Sequence, residues 1–135
     1  MGRCTLPVLD QNTLAVAWDP YCDAQRHWEA AQRHDHNLPV AVVLGGDPLA
    51  MLSIDLPAPP EMDRFTFAGM LRREPIEMVA CRTHSLNVPA EAEIVIEGFV
   101  KPGTAADRAL PSTLAAPTGF YCRPHQMHAV HVKAV

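Results

Sequence analysis

The chain is 135 residues long, with 48% hydrophobic and 19% charged residues and a formal net charge of −4. That length suits one domain, 1–135, burying roughly two-thirds of its unfolded surface, and the acidic balance argues against nucleic acid or an anionic membrane as a partner. Its longest apolar runs, such as Val40 to Leu44, fall far short of the ~20 residues of a membrane span, and no charged-then-apolar signal segment opens the chain.

In chain order, Pro7 to Trp18 reads as strand, polar turn at Asp10-Gln11-Asn12, and strand. Asp23 to Arg33 reads as a helix: Asp23 can cap the first turn, and Ala24, His27, Trp28 and Ala31 share one face. Leu38 to Leu44 is a continuous apolar run bounded by Pro39 and Gly45-Gly46, the pattern of a strand buried on both faces. Pro48 to Leu52 fits one helical turn, and Asp55 to Pro60 is a proline-stiffened connector. Ile76 to Thr83 and Glu93 to Val100 are the next strands, with Ile94, Ile96 and, less cleanly, Phe99 on one side of the second. Residues 102–117 are rich in Pro, Ala and Thr and mark a mobile loop, and Val130 to Val135 alternates as a final strand. Thirteen prolines and seven glycines punctuate short segments and favour a mainly β fold with short helices, closed into a small barrel.

Four cysteines (Cys4, Cys22, Cys81, Cys122) lie far apart with no Cys-x-x-Cys pair. That spacing disfavours a zinc knuckle or redox dithiol and reads as reduced thiols in a cytoplasmic protein. Among seven histidines the tightest groups are His34-x-His36 and His125-x-x-His128-x-x-His131. The strand pattern around His131 spreads the second group apart, so a surface or supporting role is expected rather than a zinc site. His27 beside Trp28 reads as helix packing. Gly45-Gly46-Asp47-Pro48 lacks the Lys and Ser/Thr of a phosphate loop and reads as a turn. Glu91, Glu93 and Glu97 read as a solvated or interface face.

Several blocks taken together carry a resemblance. They are Val8-Leu9-Asp10-x-Asn12-Thr13-Leu14 with Trp18, Leu38-Pro39-Val40-Ala41-Val42-Val43-Leu44-Gly45-Gly46-Asp47-Pro48, Phe67-Ala68-Gly69-Met70-Leu71-Arg72, Val88-Pro89-Ala90-Glu91-Ala92-Glu93-Ile94-Val95-Ile96-Glu97-Gly98-Phe99-Val100, and Thr118-Gly119-Phe120-Tyr121 with Pro124-His125. In this order and at these distances they resemble the central domain of the UbiD family, decarboxylases that use prenylated FMN to interconvert aromatic or α,β-unsaturated acids and CO₂. The resemblance implies a split β-barrel of the flavin-reductase, FMN-binding kind, with a short helix over Met62 to Leu71. The family's N-terminal region and C-terminal domain find no counterpart in the sequence.

The resemblance also says where chemistry should sit. The family's reaction rests on an Arg and two Glu that hold and deliver a proton as CO₂ departs. Those positions fall on Thr5, Pro111 and Ala116, none of which can relay a proton. Arg3 would reach the Arg position only by a register shift. The family's divalent cation is held by Asn, His and Glu. The Asn position precedes Met1, the His position falls on Tyr21, and the Glu position falls on Arg64, which would repel a cation. The loop that contacts the isoalloxazine survives in outline as Ser53-Ile54-Asp55-Leu56-Pro57, leaving Ser53, Leu56 and Pro57 as cofactor-binding candidates.

Scaffold kept and chemistry lost leads to one expectation: a UbiD-like, non-catalytic accessory subunit of a (de)carboxylase assembly acting on aromatic or unsaturated acids. Alone it would hold no cofactor; the rival reading is a decarboxylase component that binds prenylated FMN or FMN in a complex, with a partner chain completing the pocket and supplying the acid. A small-molecule-binding barrel that reuses the vacated flavin cavity is the third reading. The expected partners are a UbiD-type decarboxylase or another protein subunit, in a homo- or hetero-oligomer formed through an apolar face around Phe99, Phe120 and Val130 to Val135.

Overall fold

Asp10 turns the chain by accepting a hydrogen bond from the Asn12 backbone N–H at 2.9 Å, a local bond that Asp is suited to make. On either side lie β1 (Val8–Asp10) and β2 (Thr13–Val16), the hairpin read from the sequence. The computed structural model describes residues 2, 4–18, 22–59, 62–105, 114–115, 119–122 and 127–135. Helix α1 (Asp23–Arg33) has the expected bounds, but its cap differs. Cys22 is the N-cap and makes no side-chain bond, while Asp23 pairs with Arg26 one turn on. Trp28 is the buried residue of α1, and His27 on the neighbouring position is exposed.

The main sheet is five-stranded and antiparallel, in the order β1-β2-β9-β6-β3, with β3 (Leu38–Leu44), β6 (Ile94–Ala105) and β9 (His128–Ala134). The fold is therefore mostly β with a few short helices, as expected, yet the sheet is not closed into a barrel. Its edges explain why. β1 spans three residues and β3 carries Pro39, which has no N–H to donate, so neither edge is suited to zipping onto the other. The same facts correct the reading of β3 as covered on both faces. It pairs with β6 alone, and its side chains are half-buried or exposed, so its apolar run belongs to an edge strand that tolerates proline.

Two small ladders lie beside the sheet. The first joins β4 (Met78–Ala80) to β5 (Asn87–Pro89), and the second joins β7 (Leu114–Ala115) to β8 (Tyr121–Cys122). The strand expected over Ile76 to Thr83 is thus only β4, and β5 is an additional strand. Of the segment 102–117, β6 takes residues 102–105 and β7 takes 114–115, while the rest lies outside the described residues. Helices α2 (Pro48–Ser53) and α3 (Arg64–Arg72) pack on each other.

The core joins Leu14, Val16 and Trp18 of the first hairpin to Trp28, Val100 and Val130. Val100, not Phe99, is the β6 residue buried there; Phe99 is half-buried on the other face, its ring 5.4 Å from that of His131 and 5.2 Å from the Lys133 ammonium. Val130 is buried as well, so of the apolar face expected to mediate association, Phe120 and Val135 remain open, at 77% and 83% exposure. Cys4, Cys22 and Cys81 are free thiols.

His128 is the unexpected member of this core. Read from sequence as a surface or supporting residue, it is fully buried, with its ring centroid 4.8 Å from Trp18 and 4.5 Å from Trp28. Neither ring nitrogen has a hydrogen-bond partner. Burial pushes its pKa down to about 4 from an ordinary 6.5, because the charged imidazolium is poorly solvated between indoles. A base with a depressed folded-state pKa opposes folding as it is asked to charge. The unfolded chain takes up the proton below pH 6.5 and the folded chain only near 4, so stability falls across that window. The difference amounts to about 3 kcal/mol by pH 4. Urea denaturation at pH 7 and pH 4.5 should show this loss in the native chain, and His128→Leu, close in volume and without a titrating group, should flatten it. An equal acid loss in the variant would rule out His128 as the source.

Candidate functional site

Gly45 and Gly46, with φ of 71° and 105°, make the left-handed turn that delivers Asp47 to the start of α2. The Asp47 carboxylate caps that helix, accepting from Leu49 N–H at 2.7 Å and Ala50 N–H at 3.0 Å, with Pro48 in the first turn. Its second oxygen accepts from Arg72 of α3 at 2.8 Å, and the same guanidinium reaches Glu91 at 3.3 Å. This turn is a structural joint between α2, α3 and the 91–93 corner, not a phosphate cradle.

The flavin-loop candidates lie just beyond it. Ser53 is fully buried, and its hydroxyl donates to the Ala50 carbonyl at 2.7 Å, which turns it toward α2 rather than toward a ligand. Leu56 is half-buried and Pro57 is exposed. Arg64 closes the loop, its Nη1 donating to the carbonyls of Ser53 at 3.1 Å and Leu56 at 2.6 Å. The structure thus brings Ser53, Leu56 and Arg64 together. At the position the resemblance assigns to a carboxylate ligand, a guanidinium supplies only donors and positive charge. That donor set does not fit a divalent cation.

Thr5 belongs to a different element, an exposed bridge to Ala17 that extends the first hairpin. Tyr21, Pro111 and Ala116, with Arg3 and His125, lie outside the described residues. His34 and His36 are exposed, their rings 6.4 Å apart. A shallow groove is lined by Phe65, Gly69, Met70, Pro75 and Ile76, all on α3 or just after it; this is not the interior cavity that a vacated barrel would leave.

The densest polar constellation is one the sequence reading passed over. Of the carboxylates expected on a solvated or interface face, Glu91 and Glu93 are exposed, but Glu97 is buried at 5% exposure. Between Glu97 and Gly98 the β6–β9 register slips, with Gly98 opposite Val132 and Glu97 opposite Ala134, and such a bulge re-aims the side chain beside it. The carboxylate accepts from the N–H of Arg82 at 2.8 Å and the N–H of Thr83 at 2.7 Å, and from the Thr83 hydroxyl at 2.6 Å. These bonds, the Thr83 hydroxyl's first among them, hold its pKa down at about 2. Cys81 stands beside it, its thiol pKa raised by burial and by the Glu97 charge. One nitrogen of His84, the Cys81 sulfur and a Glu97 oxygen all lie within 4.8 Å of one another. The signal in sequence was the Cys81-x-x-His84 spacing, which a search for Cys-x-x-Cys pairs does not catch.

Comparison with known proteins comes down on one family. The family model of the UbiD 3-octaprenyl-4-hydroxybenzoate carboxy-lyase Rift-related domain matches residues 1–135. A protein of Aquifex aeolicus (strain VF5) is 37% identical over 135 residues, covering 100% of this chain and 27% of the relative. Among solved structures, the UbiD-class enzyme HmfF from Pelotomaculum thermopropionicum, in an evolved dimeric form in complex with prFMN, superposes with a TM-score of 0.83 at 27% identity, over 96% of this chain and 29% of its own. The 3,4-dihydroxybenzoic acid decarboxylase AroY of Klebsiella pneumoniae gives 0.81 at 23% identity, over 95% and 28%, and shares the fold. The chain therefore spans less than a third of the length of these relatives.

Replacing Glu97 by Gln keeps the shape but puts an amide N–H₂ in place of one accepting oxygen, facing the Arg82 and Thr83 donors. Amide hydrogen exchange at Arg82 and Thr83 should accelerate by roughly tenfold or more, as expected when a buried charged acceptor is lost. Exchange in α1 should stay unchanged; unaltered protection at 82 and 83 would show that the carboxylate does not hold this loop.

Proposed function

The chain belongs to the UbiD family, matched over the whole of its 135 residues, and from that premise we propose that it is a non-catalytic accessory subunit of a (de)carboxylase assembly acting on aromatic or unsaturated acids. The observation that carries this reading is Arg64. Its guanidinium closes the 53–56 loop through two carbonyls where the family pattern calls for a carboxylate that ligates a cation. Thr5, Pro111 and Ala116 at the proton-transfer positions supply no acid to protonate the carbon that loses CO₂. What the chain lends is shape and contact surface, in the cytoplasm, to a UbiD-type partner.

A second reading has an observation in its favour. HmfF, at 27% identity, is a structural neighbour in complex with prFMN or FMN, and Leu56 and Pro57 leave some apolar surface at the corresponding loop. On that reading the chain holds one face of a prenylated FMN or FMN, and a partner supplies both the acid and the rest of the pocket. Absorbance separates the two: a chain co-expressed with a flavin prenyltransferase is colourless on the first reading and absorbs in the near ultraviolet or visible on the second.

The isolated chain, given mature cofactor and cinnamate-type or hydroxybenzoate-type acids, should release no CO₂ above background. Turnover by this polypeptide alone at ordinary enzymatic rates, of order 1–10³ s⁻¹, would overturn the proposal. Sedimentation at micromolar concentration should show a dimer or a hetero-complex, since Phe120, Tyr121 and Val135 stand open to solvent; a sharp monomer of 14.8 kDa, retained when candidate partners are added, would count against the subunit role.

A further inference from the structure

The turn between β4 and β5 and the facing stretch of β6 bring together three residues with no part in the subunit role. Cys81 and His84 lie on the turn with two residues between them, and Glu97 rises toward them from β6. The His84 ring is already oriented. Its Nε2 lies 3.0 Å from the Val40 carbonyl on β3, an acceptor only, so Nε2 carries the proton and Nδ1 presents a lone pair. That Nδ1 is buried and has no hydrogen-bond partner. A ring that donates one N–H to a backbone carbonyl and offers its other nitrogen is the arrangement that metal-binding histidines adopt, because the second bond sets tautomer and orientation.

We infer that Cys81, His84 and Glu97 form a binding site for a thiophilic divalent cation, zinc in the first instance. A sulfur, an imidazole nitrogen and a carboxylate oxygen make a borderline-soft set that suits Zn²⁺ and disfavours Mg²⁺ or Ca²⁺. Charge balances as well. Zn²⁺ displaces the thiol proton to solvent, and thiolate, carboxylate and cation then sum to zero at a half-buried site, where the empty form leaves one carboxylate charge uncompensated. The donor atoms lie within 4.8 Å of one another, whereas zinc bonds of 2.0–2.3 Å place tetrahedral ligands about 3.5 Å apart. The adjustment falls on residues 81–86, which lie between the paired strands β4 and β5, while Glu97 stays fixed in β6. Glu97 has room for it: each of its oxygens has two lone pairs, Oε1 accepts from Arg82 N–H at 2.8 Å, and the bond from the Cys81 thiol to this carboxylate is released with the thiol proton. Three protein ligands leave the fourth position to water. The ion would pin the β4–β5 turn to β6 of the main sheet, a role separate from the subunit reading and from any flavin.

The test uses the full chain, reduced and stripped with chelator, with Co²⁺ or Zn²⁺ alone as probe. Co²⁺ should bind with about one equivalent and produce a near-ultraviolet sulfur-to-cobalt absorption that Zn²⁺ abolishes by displacement. Cys81→Ser should remove the sulfur band, and His84→Ala should weaken uptake by roughly tenfold or more. His34→Ala with His36→Ala should leave both unchanged. A readout on the native chain guards against variants that do not fold: Zn²⁺ should slow alkylation of Cys81 and leave Cys4 and Cys22 unaffected, as read by mass spectrometry. No uptake, a sulfur band that survives Cys81→Ser, or alkylation of Cys81 indifferent to Zn²⁺ would each overturn the site.

Discussion

The close approach of β6 and β9 at Gly98 is the constraint on which both sides of the sheet depend. A Cβ at Gly98 would stand 2.4 Å from the His131 carbonyl oxygen, nearer than nonbonded atoms come, and a backbone atom cannot swing away as a side chain can. Glycine there lets the two strands pair through the bulge that separates Gly98 from Glu97. On one face the resulting register sets Val100 and Val130 against Trp18 and Trp28. On the other it turns Glu97 onto the backbone of Arg82 and Thr83. One missing methyl group thus governs both the apolar core and the polar anchor.

The buried histidine follows from the pairing on the other side of β9. β9 pairs with β2 so that His128 lies opposite Val16, and the two indoles close over it. A phenyl or aliphatic group would fill that space without a polar atom to satisfy. The imidazole leaves two nitrogens unbonded, a desolvation cost of the kind that proteins seldom carry without a compensating contact. Here the compensation is aromatic: ring centroids at 4.8 and 4.5 Å are within the range where stacked and tilted pairs attract.

Elements governed by local chemistry were legible in the sequence, and elements governed by partners were not. The first hairpin follows from an Asp that bonds its own turn, and α1 from an uninterrupted helical pattern around Trp28. The run Leu38 to Leu44 was legible as a strand, but its place at the edge was not, since hydrophobicity does not say which neighbour arrives and Pro39 was the better guide. The short β5 was hidden because a three-residue strand containing Pro89 has almost no pattern of its own. The site divides the same way. Asp47 as a turn-and-cap residue could be read from Gly-Gly-Asp-Pro. Glu97 could not, because alternation along β6 ignores a bulge, and its partners Arg82 and Thr83 are 15 and 14 positions away in sequence.

Arg64 shows how a guanidinium can close a loop on the chain's own backbone carbonyls. A guanidinium offers only donors and a positive charge to its surroundings. The neighbouring backbone answers in kind. Arg64 takes the carbonyls of Ser53 and Leu56, groups that a carboxylate could only repel, and Ser53 turns its hydroxyl inward to Ala50. A fixed cation on a side chain therefore does the cross-linking between α2 and α3, together with Arg72 on Asp47. Such a joint rests on donors and acceptors that the chain itself supplies, and it fixes the 53–56 loop and α2 against α3.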